Sequence, residues 1–422
     1  MRRRLLILFT ALMLALTACQ AEESPGGGGG GPSGSPGGSP GGGGQIDASG
    51  TVILSGWQAS PEEGELLQQM FDGFEEAYPE VTIDYQPVSG DYAQQRIADF
   101  SAGTPPDVFY VDSSLAPDWI EEGFLLPLDD YIAQTGFDTS QFYEGYLDAF
   151  RGPDGMIYGL PKDASTLALF YNPDMFEAAN VEPPTTWEEL AAAAEALTTD
   201  EVAGICLSPD LARVLAFVYQ AGGSIYNDDF SEVTFDSDET REALEFYMSF
   251  FENGSGRSPA QIGAGWCGEA FDTERAAMAI EGNWLIPVLE GDTGEASYEM
   301  VELPEGPAGR ATLAFTVSYS IGADSANPDA GWALLSYLTG PEGMEIWTSK
   351  GLALPSRRDV PEPEGREALL AGAEYARPWS FVPGFADVVT AFNNSISAAI
   401  EGSATVDDMI SATTEAAQGT LE

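Results

Sequence analysis

The chain has 422 residues, 44% of them hydrophobic and 11% aromatic, enough to bury the cores of two ordinary domains or of one large one. Its charge is far from balanced: 68 acidic residues face 16 basic ones, for a formal net charge of −52, and the lysines are Lys162 and Lys350 alone. Nucleic acid and anionic lipid are poor partners for such a surface, and the lack of any histidine excludes Ser-His-Asp and Cys-His nucleophile systems, HExxH zinc sites and a histidine general base.

Met1 is followed by Arg2, Arg3 and Arg4 and by an apolar run from Leu5 to Leu16, the pattern of a secretory signal too short to span a bilayer as a mature helix. The arginines also fit the start of a twin-Arg export signal. Leu16-Thr17-Ala18-Cys19 resembles a bacterial lipobox. That resemblance implies cleavage before Cys19, acylation of its sulfur and new amino terminus, and an anchor on the outer face of the cell membrane. Residues 1–18 are therefore read as a lipoprotein signal peptide and 19–48 as a Gly/Ser/Pro-rich tether, a flexible coil that cannot form a core.

Beyond the tether, Thr51 to Leu54 is a short apolar strand, and Ser60, Pro61 and Glu63 make a capping box with proline at the first helical position. Leu67, Met70, Phe71, Phe74 and Tyr78 follow at helical spacing until Pro79 stops the helix. Val81, Ile83 and Tyr85 alternate as the next strand, a helix runs from about Tyr92 to Ala102, and PDVFYVD is a third strand. Strand, helix, strand, helix, strand is the signature of a parallel sheet with helices on its faces. In open α/β sheets ligands sit beyond the carboxyl ends of the strands, where this chain carries Trp57 with Gln58, and Asp112 with Ser113. A ring to stack on and acceptors for hydroxyls are what a polyhydroxylated ligand needs.

The segment from Asp154 onward contains Tyr158-Gly159-Leu160-Pro161, Leu169-Phe170-Tyr171-Asn172 with Phe176, and Pro183-Pro184-Thr185-Thr186-Trp187. Together with GTPPDVFYVD, GFLLPLDDYI, VTFDSDETREALEFY, ERAAMAIEGNW and GLALPSRRDV, in this order, it resembles the family 1 extracellular solute-binding proteins, the carbohydrate receptors of ABC importers related to maltose-binding protein. The resemblance covers nearly all of residues 50–422. It implies an α/β, two-lobed periplasmic-binding-protein-like fold of type II with hinge-linked lobes and discontinuous domains. Residues 49–160 plus about 312–355 would form the first lobe, and 161–311 plus about 356–422 the second. The residues themselves agree locally: Asn172 can cap a helix starting at Pro173, Thr185 or Thr186 caps the Ala-rich helix after it, and Gly204 to Leu207 reads as a strand.

Candidate ligand contacts follow from position. Trp57 and Trp284 lie just past predicted strand ends, and Trp266 and Trp379 in Gly- and Pro-rich loops, as sugar-stacking platforms, whereas Trp187, Trp332 and Trp347 sit in helices and read as core. Asp112 and Asp163 stand where the family places polar ligand contacts; Ser165 occupies a position where the family often has an acid, which leaves the sugar preference open. Tyr319 could offer ring and hydroxyl, and Arg357 and Arg377 are notable in a chain so short of cations. If Cys19 is lipidated, Cys206 and Cys267 are an even pair in an exported chain and read as a disulfide or as two buried thiols.

Two motifs are discarded. Gly263 to Gly268 spells GxGxxG without a preceding strand and with Trp266 inside it, and Asp236 and Asp238 lack the Gly and distal Glu of a calcium loop. The expected protein is a monomeric, lipid-anchored, extracytoplasmic receptor without catalysis, metal or cofactor, which delivers a di- or oligosaccharide to ABC permease subunits. The rivals are the same fold holding a polyamine, peptide or metal complex, and a secreted glycosidase using two of the many carboxylates.

Overall fold

The computed structural model describes residues 46–57, 61–88, 92–291, 294–351 and 353–422. Cys19, most of the tether, Gln58 and the Ser60 cap lie outside the described residues. No helix among those described is long and apolar enough to cross a membrane.

The strands in chain order are β1 (Gly50–Gly56), β2 (Val81–Pro87), β3 (Val108–Asp112), β4 (Leu160–Pro161), β5 (Ser165–Thr166), β6 (Ala168–Tyr171), β7 (Ile205–Cys206), β8 (Gly256–Arg257), β9 (Met278–Glu281), β10 (Glu299–Glu302), β11 (Thr312–Phe315), β12 (Val317–Ile321) and β13 (Ala376–Pro378). They form three sheets, in the orders β2-β1-β3-β12-β4, β10-β6-β9-β7-β8 and β13-β11-β5. In the first sheet β1, β2 and β3 run parallel, as the strand-helix alternation predicts, while β12 returns antiparallel to β3 and places Tyr319 opposite Tyr110. The helix Pro61–Ala77 lays Leu66, Leu67, Met70 and Phe74 on this sheet, and Pro328–Leu338 adds Trp332 to the same core.

The inner strand β6 of the second sheet is covered on both faces, so it reads as an unbroken apolar run. Along β6, Leu169 and Tyr171 face a core holding Trp187, Leu190, Phe217 and Tyr247, and Ala168 and Phe170 face another holding Phe271, Leu285 and Leu369. Local chemistry starts its helices as expected. Asn172 Oδ1 accepts the Met175 N–H at 3.0 Å, and Thr186 Oγ1 that of Glu189 at 3.3 Å. Ser237 caps Asp238–Asn253, so Asp236 and Asp238 flank a helix start. The GxGxxG segment follows the helical turn Pro259–Ile262 rather than a strand.

Between the two large sheets the chain crosses in extended segments that bond to one another. Lys162 N donates to Val317 O at 2.8 Å, Ala164 N to Leu354 O at 2.9 Å, and Ser356 Oγ to Pro161 O at 2.9 Å. Thr316, the one residue between β11 and β12, accepts the Ser113 N–H at 3.1 Å and donates its hydroxyl to Asp163 O at 2.7 Å. The return into the first sheet thus begins at Val317, and β11 stays in the three-stranded sheet.

A disulfide joins Cys206 on β7 to Cys267 on the helix Cys267–Asp272, 61 residues apart in sequence. Closing a loop of that length removes about 4 kcal/mol of denatured-chain entropy. Reduction, or Cys206→Ala with Cys267→Ala, is expected to lower unfolding stability by roughly that amount in urea titrations. A loss under about 1 kcal/mol would show that the bond is merely tolerated.

Candidate functional site

On the first-sheet side, Trp57 directly follows β1 and sets its ring edge-on to Tyr92 at 4.9 Å and to Tyr110 at 5.1 Å. A β-carbon at Gly56 would collide with the Tyr110 ring, so only glycine lets the strand end pass there. Asp112 closes β3 half-buried, accepting the Ser114 N–H at 2.9 Å and its hydroxyl at 2.5 Å. Burial pushes the Asp112 carboxyl above its ordinary range, the Ser114 bonds pull it back, and nearby Asp163 adds a further upward push.

The crossing segments supply the floor. Asp163 is ion-paired with Lys162, whose side chain is 5% exposed and whose Nζ lies 4.1 Å from the Trp347 ring and 5.1 Å from that of Tyr110. Aromatic faces are among the few apolar surfaces that attract a cation, which is how this lysine stays inside. Ser113 and Ser165 are both buried. The first belongs to the crossing through Thr316, and the Ser165 hydroxyl accepts the Asn283 N–H at 3.3 Å, tying the crossing to the loop that carries Trp284.

On the second-sheet side that loop leaves β9 through Gly282, where a β-carbon would meet both the Trp284 ring and Ser165 Oγ. Trp284 Nε1 donates to Glu281 Oε2 at 2.8 Å, and the same oxygen takes Arg213 Nη2 at 2.7 Å. The Arg213 guanidinium lies 5.3 Å from the Trp284 ring centre. Phe315 at the end of β11 meets Trp284 edge-on at 5.6 Å and Trp379 at 6.0 Å, and Trp379 continues to Phe381. Glu281 is fully buried, which pushes its carboxyl up; Arg213 pulls it back first, then the Trp284 N–H.

The structure therefore gathers Trp57, Asp112, Asp163, Ser165, Trp284 and Trp379 around the crossings. It sends three expected ligand contacts elsewhere. Arg357 is buried and committed to Asp359 through two 2.8 Å bonds, with its guanidinium 5.0 Å from the Phe142 ring. Tyr319 is 1% exposed and packs edge-on against Tyr110 in the core. Trp266 folds over Gly268 and packs on the core beside the disulfide. Arg377 sets its guanidinium 4.3 Å from the Tyr219 ring. Trp187, Trp332 and Trp347 are buried in helices, as expected. Sequence reasoning missed Lys162, Arg213, Glu281 and Phe315. Lys162 had a signal, as one of two lysines and the neighbour of a candidate acid; Glu281 had one in standing three residues before Trp284.

Two surface cavities lie outside this group. One, of about 480 Å³, sits between the helices Asp238–Asn253 and Val406–Gly419, lined by Arg241, Asp407 and Glu415. The other, of about 410 Å³, is walled by Gln86, Arg96 and Pro105. Neither is lined by an aromatic ring on which a sugar could stack.

An acid whose titration is raised on folding costs stability once ionised, and the cost disappears below its unfolded range. Asp112→Asn is therefore expected to raise the melting midpoint near pH 7, with the gap closing by about pH 3.5. An equal gap at both pH values would show that Asp112 charge is not the cause.

The family model described as bacterial extracellular solute-binding protein matches residues 58–345. A putative binding protein of Brucella abortus (strain 2308) is 25% identical over 377 residues, covering 82% of this chain and 88% of that protein. Among solved structures, the ABC substrate-binding protein from Listeria monocytogenes in complex with cycloalternan superposes with a TM-score of 0.78 at 24% identity, covering 89% of this chain and 99% of that one. The GacH receptor of Streptomyces glaucescens, solved unliganded and with acarbose, gives 0.77 at 24% identity over the same shares. The fold is thus the type II periplasmic-binding-protein fold, and such relatives are the solute-binding components of ABC transporters rather than enzymes. With the family model matching more than half of its length, the chain belongs to the bacterial extracellular solute-binding proteins.

Proposed function

We propose that this receptor closes two lobes on a neutral sugar, a di- or oligosaccharide, and presents the closed complex to an ABC permease. One observation carries the reading: a protein of net charge −52 neutralises its own site. Asp163 is held by Lys162 and Glu281 by Arg213, and burial pushes the Asp112 carboxyl above its ordinary range. A polyamine would have to displace the internal cations, whereas a sugar needs only ring faces and hydrogen bonds. Trp57 and Trp284 supply faces on the two sides of the crossings, and the sugar complexes of structurally similar receptors support the class.

A ligand touching both sides stabilises the closed arrangement by its differential affinity, and bending of the three crossings is the motion this needs. Acylated Cys19 and the tether would keep the trap on the outer membrane face, as a monomer above its permease.

Thermal unfolding of the chain from residue 46 onward, against maltose, maltotriose, cycloalternan, spermidine and a tripeptide, tests the class, because a ligand specific to the folded state raises the midpoint. A sugar is expected to do so, with Trp284→Ala weakening it tenfold or more, about 1.4 kcal/mol. A shift by spermidine alone would overturn the neutral-ligand reading. Cys19→Ser in the full-length chain is expected to move the protein from the membrane fraction to the soluble one; retention in the membrane would refute the anchor.

A further inference from the structure

We infer that Arg213 and Glu281 are positioning residues that clamp Trp284 in one orientation with its indole N–H already engaged. This rests on the reading of Trp284 as a binding platform and adds what sets its specificity. The clamp has two jaws. Glu281 Oε2 holds the indole N–H at 2.8 Å, which fixes rotation of the ring in its plane and uses up its donor. The Arg213 guanidinium, 5.3 Å from the ring centre, sits against the indole, and its 2.7 Å bond to the same Oε2 locks both jaws together.

The remaining atoms argue that stability is not what the network serves. Glu281 Oε1, Arg213 Nε and Asp210 Oδ1 are buried without a hydrogen-bond partner among the described residues, although Asp210 Oδ1 lies 3.7 Å from Arg213 Nη1. A buried ion pair with half its hydrogen-bonding capacity unmet is one that a well-packed apolar pair would match or exceed in stability. What an apolar pair would not do is hold an indole by its N–H. Trp284 also meets Phe315 edge-on, and its ring packs so closely on Gly282 that any side chain there would displace it. The platform is therefore preorganised, with no donor of its own, and reads the apolar face of a pyranose rather than its hydroxyl pattern.

Arg213→Met and Glu281→Leu remove one jaw each, and Arg213→Lys restores the charge. In the ligand-free protein, the near-ultraviolet circular dichroism assigned to Trp284 by subtraction of Trp284→Phe is expected to lose at least half its intensity in the Met and Leu variants and to recover in part with Lys. Maltotriose affinity by calorimetry is expected to fall fivefold or more in each, with the double variant no worse than either alone. A melting midpoint at or above the parent's in the double variant, where an apolar pair replaces the ion pair, would separate loss of positioning from loss of folding. Unchanged Trp284 dichroism in both single variants overturns the clamp whether or not any sugar binds. If the parent does not bind maltotriose, the choice of ligand fails and the dichroism alone decides the clamp.

Discussion

Everything functional in this molecule hangs on the ladder where three extended segments pass side by side between the sheets. Lys162, Ala164 and Pro161 on one segment bond to Val317, Leu354 and Ser356 on the other two, and Thr316 couples the ladder to the end of β3 through Ser113. A ladder of this kind resists sliding but yields to small torsions spread over few residues, the behaviour of a hinge. Its side chains are also the floor of the site. Asp163 pairs with Lys162 on the crossing, and Ser165 reaches the loop of Trp284. Bending the ladder and rearranging the site are therefore the same event.

The second organising fact is where the charges went. Among the described residues, Arg96, Lys162, Arg357 and Arg366 are buried, whereas the buried acids are Asp107, Asp272 and Glu281. A chain with few cations has drawn a disproportionate share of them inside, each beside a carboxylate or a ring. The surface is consequently more uniformly negative than composition suggests, while Asp163 and Glu281 beside the crossings each carry an internal cation. Surface repulsion of this order favours solubility and disfavours self-association, and it leaves an uncharged ligand indifferent to the field.

Much of this was legible in the chain because it was local. Asn172 before a proline, Thr186 before an Ala-rich run and the unbroken apolar run of PDVFYVD each have one dominant solution, and the structure adopts it. The placement of Trp57 and Trp284 after strands was equally readable. What escaped depended on distance in sequence. Tyr319 alternates like a half-exposed strand residue, but its strand lies inside a sheet and its ring is buried under Tyr110. Lys162 reads as surface until Trp347, far along the chain, is seen to flank it. Arg357 pairs with Asp359, two residues on, a local partner that the sequence already offered. The shift of the return from about residue 312 to Val317 has the same origin, since one apolar run serves two sheets and only pairing divides it at Thr316.

The crossing ladder also dictates an order of events in the life of the chain. The core of the first sheet draws on residues from Ile46 to Leu160 and again from Tyr319 to Ala353, so β12, the antiparallel strand between β3 and β4, is synthesised last among its members. Until β12 arrives, β3 exposes a hydrogen-bonding edge and a face of apolar side chains to whatever is near. Contacts of such long sequence separation form slowly. A chain built this way cannot complete its first sheet before Ile321 is made, so β12 is the strand whose arrival closes that sheet.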